Sequence, residues 1–365
     1  MTANWQLYGE LLSTFERILN FMGIWPGKQI PLIRFIIIAT LSAFFIMFII
    51  KTFTHPERES FENGLAVGLG CLMMVLLFIR LTINEKKLCE IIDFIKDDLK
   101  RTPKDVEKEI LDDIGKDIQF VLKFVTIVFP MSVIIKVIMP FIEFGYGLIT
   151  RDENVNIKLP PAMSVPSFNL GIHYELFVYI IECIIRMIML FWLLGGAILY
   201  IVTSLYLGGQ FRTLAKEFEA ISLDDGKLFD TFIKRHELII SKAKTLNKIY
   251  STHLFVDSAV SYINLAALLF SMFSTHHGLA SFFNDMLLTM AGATQFGLIV
   301  IYGGYIMECS LLVYKGAYNC DWIGKPLAQQ KKLIFVLQRG QRPISLSVYE
   351  NFITASLEFL TNVSF

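Results

Sequence analysis

The side chains best suited to chemistry lie near the C-terminal end of this chain. If 344–365 is a helix, then Ser347, Glu350, Asn351, Thr354, Glu358, Thr361 and Asn362 share one stripe about 120° wide, at about 100° per residue. Tyr349, Phe352, Ile353, Phe359, Leu360 and Val363 lie opposite, and only Ser356 breaks the division. In lipid, such a polar stripe must meet water or protein. Interfacial helices carry Lys and Arg on their polar face, whereas this stripe has two Glu and no base. Carboxylates facing water favour cations, which is the chemistry of a pore lining. A single such helix cannot ring a pore, so this reading requires an oligomer with one helix per subunit. The competing reading is a polar face buried in a helix bundle or lying in the membrane interface.

Other candidate groups are sparser. Glu182 and Arg186 stand at i and i+4 and can pair on one helix face. This is a packing geometry first and a gating or ligand contact second. His276-His277 reads as a solvated pair rather than a metal site, and no Cys or His spacing suits a metal. No His, Cys, Ser or carboxylate pair sits at catalytic spacing, so no enzyme, cofactor or metal is expected. Net charge is zero, with 33 basic and 33 acidic residues, and nothing points to nucleic acid.

The elements that must position these groups are apolar. The chain has 365 residues, 54% of them hydrophobic, and a mean hydropathy of +0.56. A membrane-crossing helix takes about 20 apolar residues. Seven stretches qualify: 31–50, 64–83, 119–142, 175–207, 256–274, 286–314 and 343–365. The expected fold is all-α, a single polytopic membrane domain over 1–365. Basic residues fall in alternate connections. Segments 1–30, 84–118, 208–255 and 315–342 hold 24 Lys and Arg, while 51–63, 143–174 and 275–285 hold 4. Basic short loops mark the cytoplasmic face, so the N-terminus is predicted inside and the C-terminus outside. Cys71, Cys183 and Cys309 then lie in spans, with Cys89 and Cys320 in the cytoplasm, and no structural disulfide is expected.

The inside segments carry apolar stripes. Leu88, Ile91, Ile92 and Ile95 form one at helical spacing. Phe211, Leu214, Ala215 and Phe218 form a second, and Phe229, Phe232, Ile233 and His236 a third. Two cytoplasmic helices joined at Asp224-Asp225-Gly226 are predicted there. A further helix is predicted from Leu327 to Leu337, and Pro343 marks a restart.

Three local patterns, read in order and in their topological places, resemble the insect odorant receptors. They are Phe211-Arg212-x-Leu214; Glu308-Cys309-Ser310 followed by Ala317-Tyr318-Asn319-x-x-Trp322; and Gln341-Arg342-Pro343 leading to Ser356-Leu357-Glu358. The seven-span plan with an inside start covers the whole chain, while the motifs cluster in its C-terminal third. The resemblance implies a tuning subunit of an odorant-gated, nonselective cation channel. It implies a small volatile odorant as ligand and an insect olfactory co-receptor as partner in a hetero-tetramer, in the plasma membrane of sensory dendrites. It places the subunit anchor on cytoplasmic helices, with Phe211, Leu214, Phe218, Tyr318 and Trp322, and the pore on Ser347, Glu350, Asn351, Thr354, Glu358 and Thr361. An odorant pocket is implied among the outer halves of the second, third, fourth and sixth spans. Those supply Leu65, Leu69, Met131, Ile134, Ile135, Ile138, Phe177, Ile180, Ile184, Met290 and Thr294, an apolar lining suited to recognition by shape. Family members usually continue further past the Ser-Leu-Glu region, so the distal part of the last helix is expected to be missing here.

Two rival classes predict other features. A G-protein-coupled receptor needs the N-terminus outside and an Asn-Pro-x-x-Tyr run in span seven; this chain has no Asn-Pro dipeptide. A secondary transporter predicts internal repeats in matching halves, and none is visible.

Overall fold

The structure is a computed structural model. It describes residues 72–100, 106–121, 172–221, 226–273, 279–345, 347–348 and 353–354, with isolated helical positions between 12 and 50 and at 123, 127 and 138. Only some side chains are described within 172–194 and 261–298.

The described elements run α1 (Leu72–Ile83), α2 (Glu85–Leu99), α3 (106–121), α4 (Ile172–Ala220), α5 (Gly226–Phe273), α6 (Leu279–Asn319) and α7 (Leu327–Gly340). A minimal antiparallel pair follows, β1 (Ser347–Val348) and β2 (Ile353–Thr354).

Helices α4, α5 and α6 are 49, 48 and 41 residues long. At ~1.5 Å per residue each runs for about 60–75 Å, at least twice the ~30 Å hydrocarbon core. The boundaries drawn from hydropathy at 207/208, 255/256 and 314/315 therefore fall inside continuous helices. Polarity changes along each rod while the backbone ladder does not. The break between α4 and α5 lies between Ala220 and Gly226, where Asp224-Asp225-Gly226 predicts a turn. Among the described residues, one stretch, Phe296–Asn319, is long and apolar enough to cross a membrane by itself, with mean hydropathy 1.8.

Helix α4 is the central post. From Gly195 to Phe211 it is buried on nearly every side, and it packs most extensively on α6. That packing depends on small residues. A β-carbon at Gly316 of α6 would stand 2.2 Å from the Ala215 carbonyl oxygen of α4, so the two backbones touch there. At Gly208 a β-carbon would strike the Tyr305 ring at 2.2 Å. Around this pair, α2 buries Leu88, Ile91, Ile92 and Ile95, and α3 buries Ile110, Leu111, Ile114 and Ile118. The stripes predicted from periodicity are thus core-facing.

The C-terminal segment departs from the predicted helix. Ser347 pairs with Thr354 and Val348 with Ile353 in an antiparallel register. Ser347, Val348, Ile353 and Thr354 are therefore extended rather than helical, while 349–352 lie outside the described residues. Two causes act together. Val348, Ile353 and Thr354 are β-branched, with Tyr349 and Phe352 aromatic between them, a composition that favours extended backbone. The backbone beside β1 is also tied from outside: Asn247 of α5 donates through Nδ2 to the Ser345 carbonyl at 2.6 Å and accepts from the Ser347 N–H at 3.0 Å.

Candidate functional site

Where α2, α3, α4 and α5 meet, a polar network crosses the core. The Tyr206 hydroxyl donates to Asp98 of α2. Gln210, one turn on, donates through Nε2 to Asp98 Oδ2 at 2.8 Å. Arg235 of α5 donates through Nη2 to Gln210 Oε1 at 2.5 Å and through Nη1 to Glu217 Oε2 at 2.9 Å. It also lies 3.7 Å from Glu107 of α3. Tyr206 and Gln210 are buried at 1% and 2% exposure, so these bonds act in a low dielectric, where an unmatched partner is costly. The network fixes the mutual height of four helices. Periodicity did not find it, although Tyr206 and Gln210 at i and i+4 are a polar pair on an apolar face. Asp98, Glu107, Glu217 and Arg235 look like ordinary surface charges in sequence.

Just beyond, His236 of α5 is buried edge-on to Phe211, with ring centroids 6.3 Å apart. Burial, aided by the nearby Arg339 charge, lowers its pKa to about 4, so the imidazole is neutral at neutral pH. Phe218 meets Phe229 and Phe232 edge to face at 5.9 and 5.7 Å.

The residues assigned to the subunit anchor differ in burial. Phe211, Leu214 and Phe218 are each 0% exposed. They join helices of one chain and are not available to a second. Tyr318 and Trp322, at 58% and 38%, are exposed. The Trp322 turn is closed by Gln330, which donates to the Trp322 and Lys325 carbonyls. It needs Gly324 at φ 74°.

The start of the C-terminal segment hangs from two helices. Ser310, in the Glu308-Cys309-Ser310 pattern of α6, accepts from the Ile344 N–H at 3.1 Å and donates to the Met307 carbonyl at 2.7 Å. Asn247 holds the next turn of chain from α5. Of the predicted pore residues, Ser347 and Thr354 face each other across β1 and β2. Glu350, Asn351, Glu358 and Thr361 lie outside the described residues.

The pocket residues are only partly placed. Leu65, Leu69, Met131, Ile134 and Ile135 lie outside the described residues, and the side chains of Phe177 and Ile184 on α4 are likewise not described. Ile138, Ile180 and Met290 are 46%, 50% and 58% exposed, and Thr294 is half-buried. The described residues do not enclose them. The physical reason is that lipid and an apolar ligand select the same side chains, so hydropathy cannot separate a lipid face from a pocket wall.

The 7tm Odorant receptor family profile matches residues 59–364. This chain belongs to that family. Its fold is that of the insect olfactory receptor OR5 from Machilis hrabei, with a TM-score of 0.81 at 13% identity over 99% of this chain and 96% of that one. The structure of that receptor in complex with eugenol matches equally, at 0.81 and 14% identity over the same shares. A comparison with curated proteins finds no significant match. The receptor is therefore an all-α polytopic membrane protein of the odorant-receptor class and not an enzyme. Neither the G-protein-coupled reading nor the transporter reading is favoured.

Proposed function

We propose that this chain is a tuning subunit of an odorant-gated cation channel, assembled with an olfactory co-receptor of the same fold in a hetero-tetramer. The observation that carries the reading is the family match over residues 59–364. In this reading the 24 basic residues of the inside segments hold the N-terminus in the cytoplasm. The polar ends of α4, α5 and α6 then project as rods beneath the membrane of sensory dendrites.

Assembly runs through the end of α6 and the outer face of α7. Tyr318, Trp322, Ile323, Leu327, Ile334 and Phe335 are all exposed there, Phe335 at 70% and Ile323 at 76%. A cluster of large apolar side chains facing water is the signature of an interaction face. A small apolar volatile binds among the outer halves of the spans named above. Its binding shifts α5 and α6, and Asn247 and Ser310 pass that shift to the backbone of the C-terminal segment. Glu350 and Glu358, with Ser347, Asn351, Thr354 and Thr361, border the ion path and favour cations.

Co-expression with an insect olfactory co-receptor is expected to give odour-evoked cation current that the chain alone does not give. No current across a broad odour panel, with both subunits at the cell surface, would overturn the reading. Unchanged ion selectivity in Glu350→Gln and Glu358→Gln would place the last segment away from the pore.

A further inference from the structure

A basic groove lies between the α1–α2 junction and α5, and shares no lining residue with the polar network, the α6–α7 patch or the C-terminal segment. Its volume is about 220 Å³, and it is lined by Asn84, Lys87, Ser241, Lys244, Thr245 and Lys248. The four α5 residues recur at i, i+3, i+4 and i+7, so they form one face of that helix. Three lysines line it together with Ser241, Thr245 and Asn84, and no acidic residue is among the lining. Among the described residues Lys87, Lys244 and Lys248 take no ion-pair partner, whereas neighbouring lysines do: Lys242 meets Glu90 at 3.4 Å and Lys96 meets Glu16 at 2.7 Å.

The groove sits at a boundary of polarity. It opens directly after the apolar helix Leu72–Ile83, whose last residue, Ile83, is 73% exposed. One helical turn to the apolar side, Arg80 of α1 donates to Thr252 of α5 at 2.8 Å and holds the two helices together. A ligand matching both halves carries a concentrated negative charge on one end and hydrocarbon on the other. A phosphomonoester carries about −1.5 to −2 at neutral pH, whereas a phosphodiester headgroup offers a single negative charge on its phosphate. Three uncompensated lysines match the former.

We infer that this groove binds the phosphomonoester-bearing headgroup of an inner-leaflet phospholipid. The side of the membrane rests on the orientation proposed above; the binding itself does not. The lipid's acyl chains lie against the exposed end of α1, and its phosphates meet Lys87, Lys244 and Lys248, with the Ser241 hydroxyl and the second N–H of the Asn84 amide as hydrogen-bond donors; the Thr245 hydroxyl already donates to the Ser241 carbonyl at 2.8 Å. The site thereby ties α1 and α2 to α5, the helix that carries Asn247.

The test is a titration of the purified full chain in detergent micelles with a fluorescent short-chain phosphatidylinositol bisphosphate. Saturable binding is expected. In the triple variant Lys87→Gln, Lys244→Gln, Lys248→Gln it should weaken at least about tenfold, each basic residue near the surface adding to attraction. Lys242→Gln should bind as the parent does, and the triple Lys→Arg variant should retain binding, which separates charge from folding. Equal affinity in parent and triple Gln variant would overturn the site. Equal competition by soluble inositol trisphosphate would overturn the lipid assignment in favour of a free phosphate compound, and equal competition by phosphatidylserine would overturn the phosphomonoester preference. Labelling of Lys248 in intact cells by a membrane-impermeant amine reagent would overturn the inner-leaflet placement and the topology together, while leaving the binding result standing. None of these readouts depends on odour-evoked current.

Discussion

The main-chain N–H of Ser347 donates to the side-chain Oδ1 of Asn247 at 3.0 Å, so the C-terminal segment is hung on α5 by a single amide. The other end of that amide takes the Ser345 carbonyl, and Ser310 takes the Ile344 N–H. Three backbone groups between Ile344 and Ser347 are thus satisfied by side chains of α5 and α6. A segment held in this way follows the helices that hold it.

Replacing Asn247 with Ala leaves the Ser345 carbonyl and the Ser347 N–H without their partner. The expected loss is about 1–3 kcal/mol. In thermal unfolding of the purified receptor the midpoint should fall, and odour-evoked current should fall more than surface expression does. Equal loss of both would reduce Asn247 to a folding residue.

Arg235 joins three helices through Gln210, Glu217 and Glu107. Arg235→Met should destabilise by about 2–3 kcal/mol, because Glu217 and Glu107 keep their charge in a largely buried place. Adding Glu217→Gln should recover part of that loss. Strictly additive losses in the two-residue cycle would mean that the pair is not coupled.

Two glycines of α6 predict opposite signs. At Gly316 a methyl group meets the Ala215 backbone, which cannot move aside without parting α4 from α6. Gly316→Ala should cost about 1–3 kcal/mol. At Gly304 nothing lies within 4 Å of the new carbon, so Gly304→Ala should stabilise by about 0.5–1 kcal/mol through helix propensity alone. Thermal midpoints of the two variants on either side of the parent are the expected result.

His236 sets a pH dependence. Its folded pKa of about 4 lies below the ordinary value of 6.5 because burial opposes the charged ring, with Arg339 adding repulsion. Between these two values the unfolded chain takes up a proton that the folded chain refuses, so stability falls as pH drops from 6.5 toward 4. His253, lowered to about 4 by burial, acts in the same direction. His236→Phe should flatten, without abolishing, the loss of thermal midpoint between neutral pH and pH 5. An unchanged slope would mean that this imidazole is not buried neutral.

The helices were legible in the sequence because lipid and core impose the same apolar periods. The Leu88–Ile95 stripe and the start of α5 at Gly226 rest on such local signals. Helix continuity was not legible, since a change from apolar to polar along α5 mimics a loop boundary while every backbone bond continues. The C-terminal segment misled for a different reason. Its polar spacing fits a helix, but the decisive constraint comes from Asn247, about 100 positions earlier. The anchor motif names residues that differ in burial, Phe211, Leu214 and Phe218 inside and Tyr318 and Trp322 exposed. Phe211 and Phe218 meet α5 of their own chain, and nothing local in sequence distinguishes such a contact from one across subunits.

The unbroken length of α5 has a mechanical consequence. A hydrogen-bonded rod of 48 residues, about 72 Å long, transmits tilt without needing a wire of switching side chains. If it pivots near its inner tip, a rotation of ~2° displaces the outer end by ~2.5 Å and the middle, where Asn247 sits, by about half as much. A ligand of a few heavy atoms therefore need not reshape anything: leaning on one end of a stiff beam is enough to drag the backbone tethered to its centre.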